Sequence, residues 1–257
     1  MEEGRLKKEV NDFLKNLGAF KVGVADPRMG FKHALEGCHP LDVMNGCRSV
    51  IVYAFKIGLD YYRDLCYEHQ NIRLGHLYRD WTGLQLITFL RKRGYDATVV
   101  PREMIDEKNR IAPMSFKLAA YEAGIGVFGR PSIIITPEFG PRVNLGVVLT
   151  DAVLKPDGVA EDFSPCENCN SCLEACPVSA IGSQMPPPTG FYRKKCVDFV
   201  DWLKEKTNEQ AKLCGRCFNI CPAGRPIKET LRIKKWKTLD DLKVEVRKKL
   251  LNEFMTS

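Results

Sequence analysis

Eight cysteines within 56 residues constrain this chain more than any other feature: Cys166, Cys169, Cys172, Cys176, Cys196, Cys214, Cys217 and Cys221. The first four read Cys-x2-Cys-x2-Cys-x3-Cys-Pro and end at Pro177. The last three read Cys-x2-Cys-x3-Cys-Pro and end at Pro222, with Cys196 alone between the two runs. Three thiols two residues apart demand tightly coiled backbone, and a proline after the fourth removes a hydrogen-bond donor and turns the chain. Backbone amides aimed at the sulfurs would stabilise the negative charge gathered there. Such a run wraps three thiolates around one cubane cluster and hands the fourth to a neighbouring cluster. Crossing the fourth ligands gives one [4Fe-4S] cluster from Cys166, Cys169, Cys172 and Cys221, and a second from Cys176, Cys196, Cys214 and Cys217. Structural zinc could also use two CxxC pairs, but it does not need the x2-x2-x3-Pro run.

The other three cysteines, Cys38, Cys47 and Cys66, lie in the first 165 residues and read as small buried hydrophobes. Cys38-His39 with Cys47 lacks a fourth metal ligand. A length of 257 residues with 44% hydrophobic and 28% charged content fits one large or two ordinary domains. No apolar run approaches the ~18 residues needed to cross a bilayer, so neither a disordered chain nor a membrane partner is expected. The N-terminus, Met1-Glu2-Glu3-Gly4-Arg5, is acidic and then amphipathic, without an apolar signal segment. A cytoplasmic location follows as the expectation, and it argues against disulfides.

Hydrophobic spacing predicts a helix over residues 3 to 17, a strand from Phe20 to Ala25, a doubly buried strand over Ser49 to Phe55, and a long helix over 73 to 93. In that long helix Leu74, Leu77, Trp81, Leu84, Leu86, Ile87 and Leu90 read as one apolar side. A strand over 95 to 100, a helix over 114 to 123, and strands over 132 to 136 and 143 to 150 complete the pattern. The expected architecture is an α/β (α+β) N-terminal domain, three-layer with a central sheet, plus a bacterial-type two-[4Fe-4S] ferredoxin-like domain. The expected boundaries are 1–155, 156–227 and a basic helical tail, 228–257. Of the net charge of +7, residues 225 to 257 carry +5, from ten Lys/Arg against five Asp/Glu. An amphipathic helix over Leu239 to Phe254 is read in that tail, with Leu242, Val246, Leu250 and Phe254 as its stripe.

The eight cysteines, together with Lys117-Leu118-Ala119-Ala120-Tyr121-Glu122-Ala123-Gly124-Ile125-Gly126-Val127-Phe128-Gly129-Arg130 and the following Asn144-Leu145-Gly146-Val147-Val148-Leu149-Thr150, carry a resemblance. Over roughly residues 40 to 222 the chain resembles the epoxyqueuosine reductase family, iron-sulfur and cobalamin proteins related to reductive dehalogenases. The resemblance implies that Gly124, Gly126, Gly129 and Arg130 lie against a corrin ring, and that Asp60 and Tyr61 contribute to the same pocket. Glycines there can take positive φ and let backbone approach a flat ligand. The sequence departs from the family where it has Arg110 in place of the proton-donating aspartate before Pro113. An arginine cannot donate a proton near neutral pH. Arg110 is then expected to bind an anionic group, with Asp106 and Glu107 as substitute acids. The family's RNA-reading extension is missing after Cys221, which leads to the expectation that tRNA is an unlikely partner. The function implied is an oxidoreductase passing electrons from a donor such as ferredoxin or flavodoxin, through two clusters and cobalamin, to a small-molecule substrate. The other reading is an electron-transfer or corrinoid-activating partner protein with no substrate of its own. Nothing in the sequence speaks to oligomeric state.

Overall fold

A computed structural model of the chain describes residues 2–56, 65–100, 111–160, 163–184, 189–206 and 214–224. These fall into two compact units. The first holds residues 1–61, 70–127 and 142–163, and the second holds 62–69, 128–141 and 164–257. Asp60, Tyr61, Asp106, Glu107, Arg110 and the stripe of the C-terminal tail lie outside the described residues.

In the first unit the sheet runs β1 (Lys21–Ala25), β2 (Ser49–Lys56), β6 (Val143–Thr150), β3 (Ala97–Val99) in spatial order, and every pairing is antiparallel. β2 is central, and its burial explains the unbroken Ser-Val-Ile-Val-Tyr-Ala-Phe run: seven of its eight residues are buried. Alternation divides them between two faces. Ile51, Tyr53 and Phe55 join a core formed with Leu6, Val10 and Leu14 of α1 (Glu2–Asn16) and Leu86, Ile87 and Leu90 of α3 (Leu65–Arg91). α4 (Phe116–Glu122) packs on the sheet with Leu118, Ala119 and Ala120 buried, so close that a Cβ on Gly23 of β1 would stand 2.1 Å from Ala123 O. Ser115 caps this helix by accepting the N–H of Leu118 at 3.2 Å.

The apolar side read along α3 divides in two. Leu86, Ile87 and Leu90 are buried, but Leu77 is 65%, Trp81 47% and Leu84 55% exposed. The face turned to the core is filled instead by Arg79, Thr82 and Gly83. Gly83 is small because a Cβ there would meet the Tyr53 hydroxyl at 2.9 Å. Tyr53 in turn donates to Arg79 O at 2.7 Å.

The second unit includes Phe128 of β4 (Val127–Phe128) and β5 (Ile134–Ile135), the two strands of a short hairpin. It continues through three helices that carry or flank the cysteines: α5 (Ser171–Ala175), α6 (Arg193–Lys206) and α7 (Arg216–Ile220). A short antiparallel contact, with Gly182 N donating to Gly190 O and Tyr192 N to Ala180 O, leads the chain into α6. Between β1 and β2 lies α2 (Pro40–Val43), whose cap is the ring of His39: its Nδ1 accepts the N–H of Leu41 at 3.2 Å. Among the described residues no helix is long and apolar enough to cross a membrane.

Candidate metal centre

The two cysteine runs fold into two matching pieces. α5 and α7 are five residues each. Each carries a cysteine at its second position, Cys172 or Cys217, and each ends on a cysteine, Cys176 or Cys221, that leaves the helix with ψ near 120° ahead of a proline. α7 starts at Gly215 with φ +60°, a left-handed turn that suits glycine and brings Cys214 onto the first turn. The two helices pack on each other. This packing turns the weak repeat of the sequence into a paired arrangement of thiols.

Ten described cysteines are free thiols, all eight of the module among them. Electrostatics links seven of the eight, all but Cys176, with Cys217 also feeling Cys172. The thiol of Cys172 feels Cys166, Cys169 and Cys221, and burial above all, with these neighbours, pushes it up from 9.0 to about 11. The thiol of Cys217 feels Cys214, Cys196 and Cys172, and burial above all raises it from 9.0 to about 12. Burial also raises Cys166. Thiols so placed resist ionising together, because each thiolate repels the next in a poorly solvated site. A positively charged iron-sulfur core removes that obstacle, since the ligating form of cysteine is the thiolate. Among the described residues no group of three or more His, Cys, Asp or Glu closes on one point as a single ion would require. A cubane spreads its four ligands over four irons rather than one. The soft, all-sulfur donor set therefore fits an iron-sulfur cluster.

Backbone and side chains around the module hold it. Ala180 N–H donates to Cys176 Sγ at 3.2 Å, and Cys169 Sγ donates to Ser171 Oγ at 3.7 Å. Arg130 is the element that sequence reasoning put to a different use. Its side chain is buried, Nε and Nη2 donate to Cys166 O at 3.3 and 3.0 Å, and Nη1 donates to Ser183 O. The planar fork of arginine suits a two-pronged grip on one carbonyl, which lysine cannot make.

The glycine turn runs from the first unit into the second. Gly124 has φ +66°, and a Cβ there would lie 2.5 Å from Gly158 O. A Cβ on Gly129 would lie 2.4 Å from Ile135 Cδ1. The space a side chain would need at these two glycines is taken up by the protein's own atoms. Gly126 is buried. Cys38 and Cys47 are buried, donating to Ala112 O at 3.4 Å and Ser49 O at 3.5 Å, and His39 is occupied in capping α2.

Several known proteins are similar to this chain. No protein-family model matches it. It is 27% identical to an epoxyqueuosine reductase of Listeria monocytogenes over 248 residues, 86% of this chain and 65% of that protein. It is also 27% identical to a tetrachloroethene reductive dehalogenase of Desulfitobacterium hafniense, over 75% of this chain and 34% of that one. The chain is thus similar to epoxyqueuosine reductases and to reductive dehalogenases. It spans less than two thirds of the length of these relatives. Among solved structures, it is similar to a catabolic reductive dehalogenase in complex with 3-bromo-4-hydroxybenzoic acid, with a TM-score of 0.68 at 21% identity, covering 98% of this chain and 36% of that one. A reductive dehalogenase structure described in terms of B12-dependent dehalogenation matches at 0.66. An epoxyqueuosine reductase in complex with an epoxyqueuosine-modified tRNA-Tyr stem loop matches at 0.56, covering 86% of this chain and 65% of that one. These likenesses establish a mixed α/β fold with a small antiparallel sheet. The tRNA complex overturns the expectation that tRNA is an unlikely partner. That expectation rested on the absent extension alone, whereas the stem-loop complex belongs to a protein that shares the part present here.

Proposed function

We propose that this chain is an iron-sulfur oxidoreductase whose second unit holds two [4Fe-4S] clusters, one on Cys166, Cys169, Cys172 and Cys221 and one on Cys176, Cys196, Cys214 and Cys217. The observation that carries the proposal is the interlacing of the two runs: Cys221 lies within electrostatic reach of Cys172, and Cys196 within reach of Cys217. When bound, the clusters supply low-potential one-electron transfer, and a corrinoid of the kind named for the relatives supplies reduction of an organic substrate.

The residues of the chain have tasks that can be named. Cys172 and Cys217, held on the packed helices α5 and α7, present sulfur from a semi-buried position where water does not compete for it. The prolines after Cys176 and Cys221 turn the chain so that each of these thiols leaves its own helix and is free to serve the other set. Arg130 fixes the carbonyl of Cys166 and so sets the direction of the first ligand loop. The corrinoid rests on the relatives alone.

The test is a pair of single-ligand variants, C221A and C196A, each reconstituted with iron and sulfide without oxygen and examined by electron paramagnetic resonance after reduction. Each variant is expected to lose the signal of one cluster and keep the other. Loss of neither signal, or of both in both variants with the fold intact by circular dichroism, contradicts the assignment.

A further inference from the structure

Three strand ends of the first unit meet at one end of its sheet: β1 stops at Ala25, β2 starts at Ser49 and β6 stops at Thr150, in register with one another. The segments that continue from them, with Gly4 of α1, border an open hollow of about 420 Å³ lined by Asp26, Arg28, Arg48 and the stretch from Val153 to Pro156, which includes Lys155. Arg28, Arg48 and Lys155 come from three distant parts of the sequence and are all exposed. The ion pairs among the described residues are made by other cations. Folding therefore brings three positive charges around one concavity, with Asp26 the one carboxylate among the described side chains that line it. One oxygen of that carboxylate is committed elsewhere: Asp26 Oδ1 accepts the backbone N–H of Arg28 at 2.8 Å, which fixes the turn presenting the arginine.

Like charges gathered without counter-ions repel, and they persist where an anion answers them. Two guanidinium groups offer paired donors that match the oxygens of a phosphate, and a lysine adds a compact charge beside them. The volume lies within the range of small-molecule sites, ~300–1,000 Å³, which is room for a phosphate or pyrophosphate group with part of what carries it. We propose that this hollow is a phosphate-binding site held by Arg28, Arg48 and Lys155. The phosphate belongs either to a small phosphorylated molecule or to a polynucleotide backbone. The site contains no cysteine and lies wholly in the first unit, so it stands independently of the cluster assignment.

Calorimetric titration of the full chain with pyrophosphate at low ionic strength tests it. The wild type is expected to bind with a Kd below about 1 mM, and R28A/R48A to bind at least tenfold more weakly, as removal of charge-assisted hydrogen bonds requires. K155A is expected to weaken binding by less, and D26N to leave it equal or tighter. Because the arginine side chains are exposed, the melting temperature of R28A/R48A should match the wild type, which separates loss of the site from loss of the fold. Competition with a short single-stranded RNA divides the sources. Displacement of pyrophosphate by the RNA assigns the phosphate to a backbone, and its retention assigns it to a small molecule. No binding by the wild type at about 10 mM, or equal affinity in R28A/R48A, overturns the proposal.

Discussion

Cys47 illustrates how one buried thiol ties stability to pH. It is 1% exposed, its sulfur donates to Ser49 O at 3.5 Å, and burial lifts its thiol from the ordinary 9.0 to about 11. The folded state therefore favours the neutral thiol. Below pH 9 both states keep the proton and the stabilisation is complete. As pH rises from 9 through about 11, the unfolded chain ionises first and stability falls. Two pKa units correspond to about 2–3 kcal/mol. Urea unfolding at pH 7.5 and in steps toward pH 11 should show the wild type losing this amount relative to C47A; parallel curves for the two proteins would refute the assignment. At Arg130 the effect is on the cysteine module. R130A leaves Cys166 O and Ser183 O without their charged donors, worth about 1.5–3 kcal/mol each. It should lower the melting temperature and weaken iron retention, with R130K restoring only part. An R130A protein that melts and holds iron like the wild type would show that the grip is dispensable.

Among the elements, α3 separates what the sequence could and could not reveal. Its existence, and the burial of Leu86, Ile87 and Leu90, were readable from spacing. The exposure of Leu77, Trp81 and Leu84 was not, because several apolar residues in succession fit more than one face of a helix, and only the sheet selects among them. The selection depends on Tyr53, whose ring and hydroxyl occupy the space against Gly83 and Gly146. L86A and L90A should each cost about 2–5 kcal/mol in urea unfolding, and L84S should stay within about 0.5 kcal/mol. A cost above 2 kcal/mol for L84S would show that its face is covered. The strand over 49 to 55 was legible because burial on both sides leaves an uninterrupted apolar run, whereas the one over 143 to 150 is buried only from Gly146 on, where Val147, Val148 and Leu149 mark it. The hairpin at 134 to 135 is shorter than its apolar run suggested, since Ser132 with φ +55° starts it late. The Cys-Pro endings of α5 and α7 were also visible in the sequence. Their packing against each other needed the fold.

At the scale of the whole molecule, the chain joins an antiparallel α/β unit to a cysteine-bearing unit, and both groups of relatives are reductases by name. The proposed division of the eight cysteines into two sets comes from their spacing, and the fold adds that burial raises the thiols of Cys166, Cys172 and Cys217. The glycine turn was the less legible half, because a glycine required by neighbouring backbone and one required by a ligand look alike in sequence, and here Gly124 and Gly129 are accounted for by Gly158 and Ile135. Everything assigned to electron transfer depends on what the thiols hold. The most direct measurement is the iron and acid-labile sulfide content of the full chain, reconstituted and desalted without oxygen. The account predicts about eight of each per chain, four for each cubane. Values well below eight, or stoichiometric zinc in a colourless protein, would contradict it.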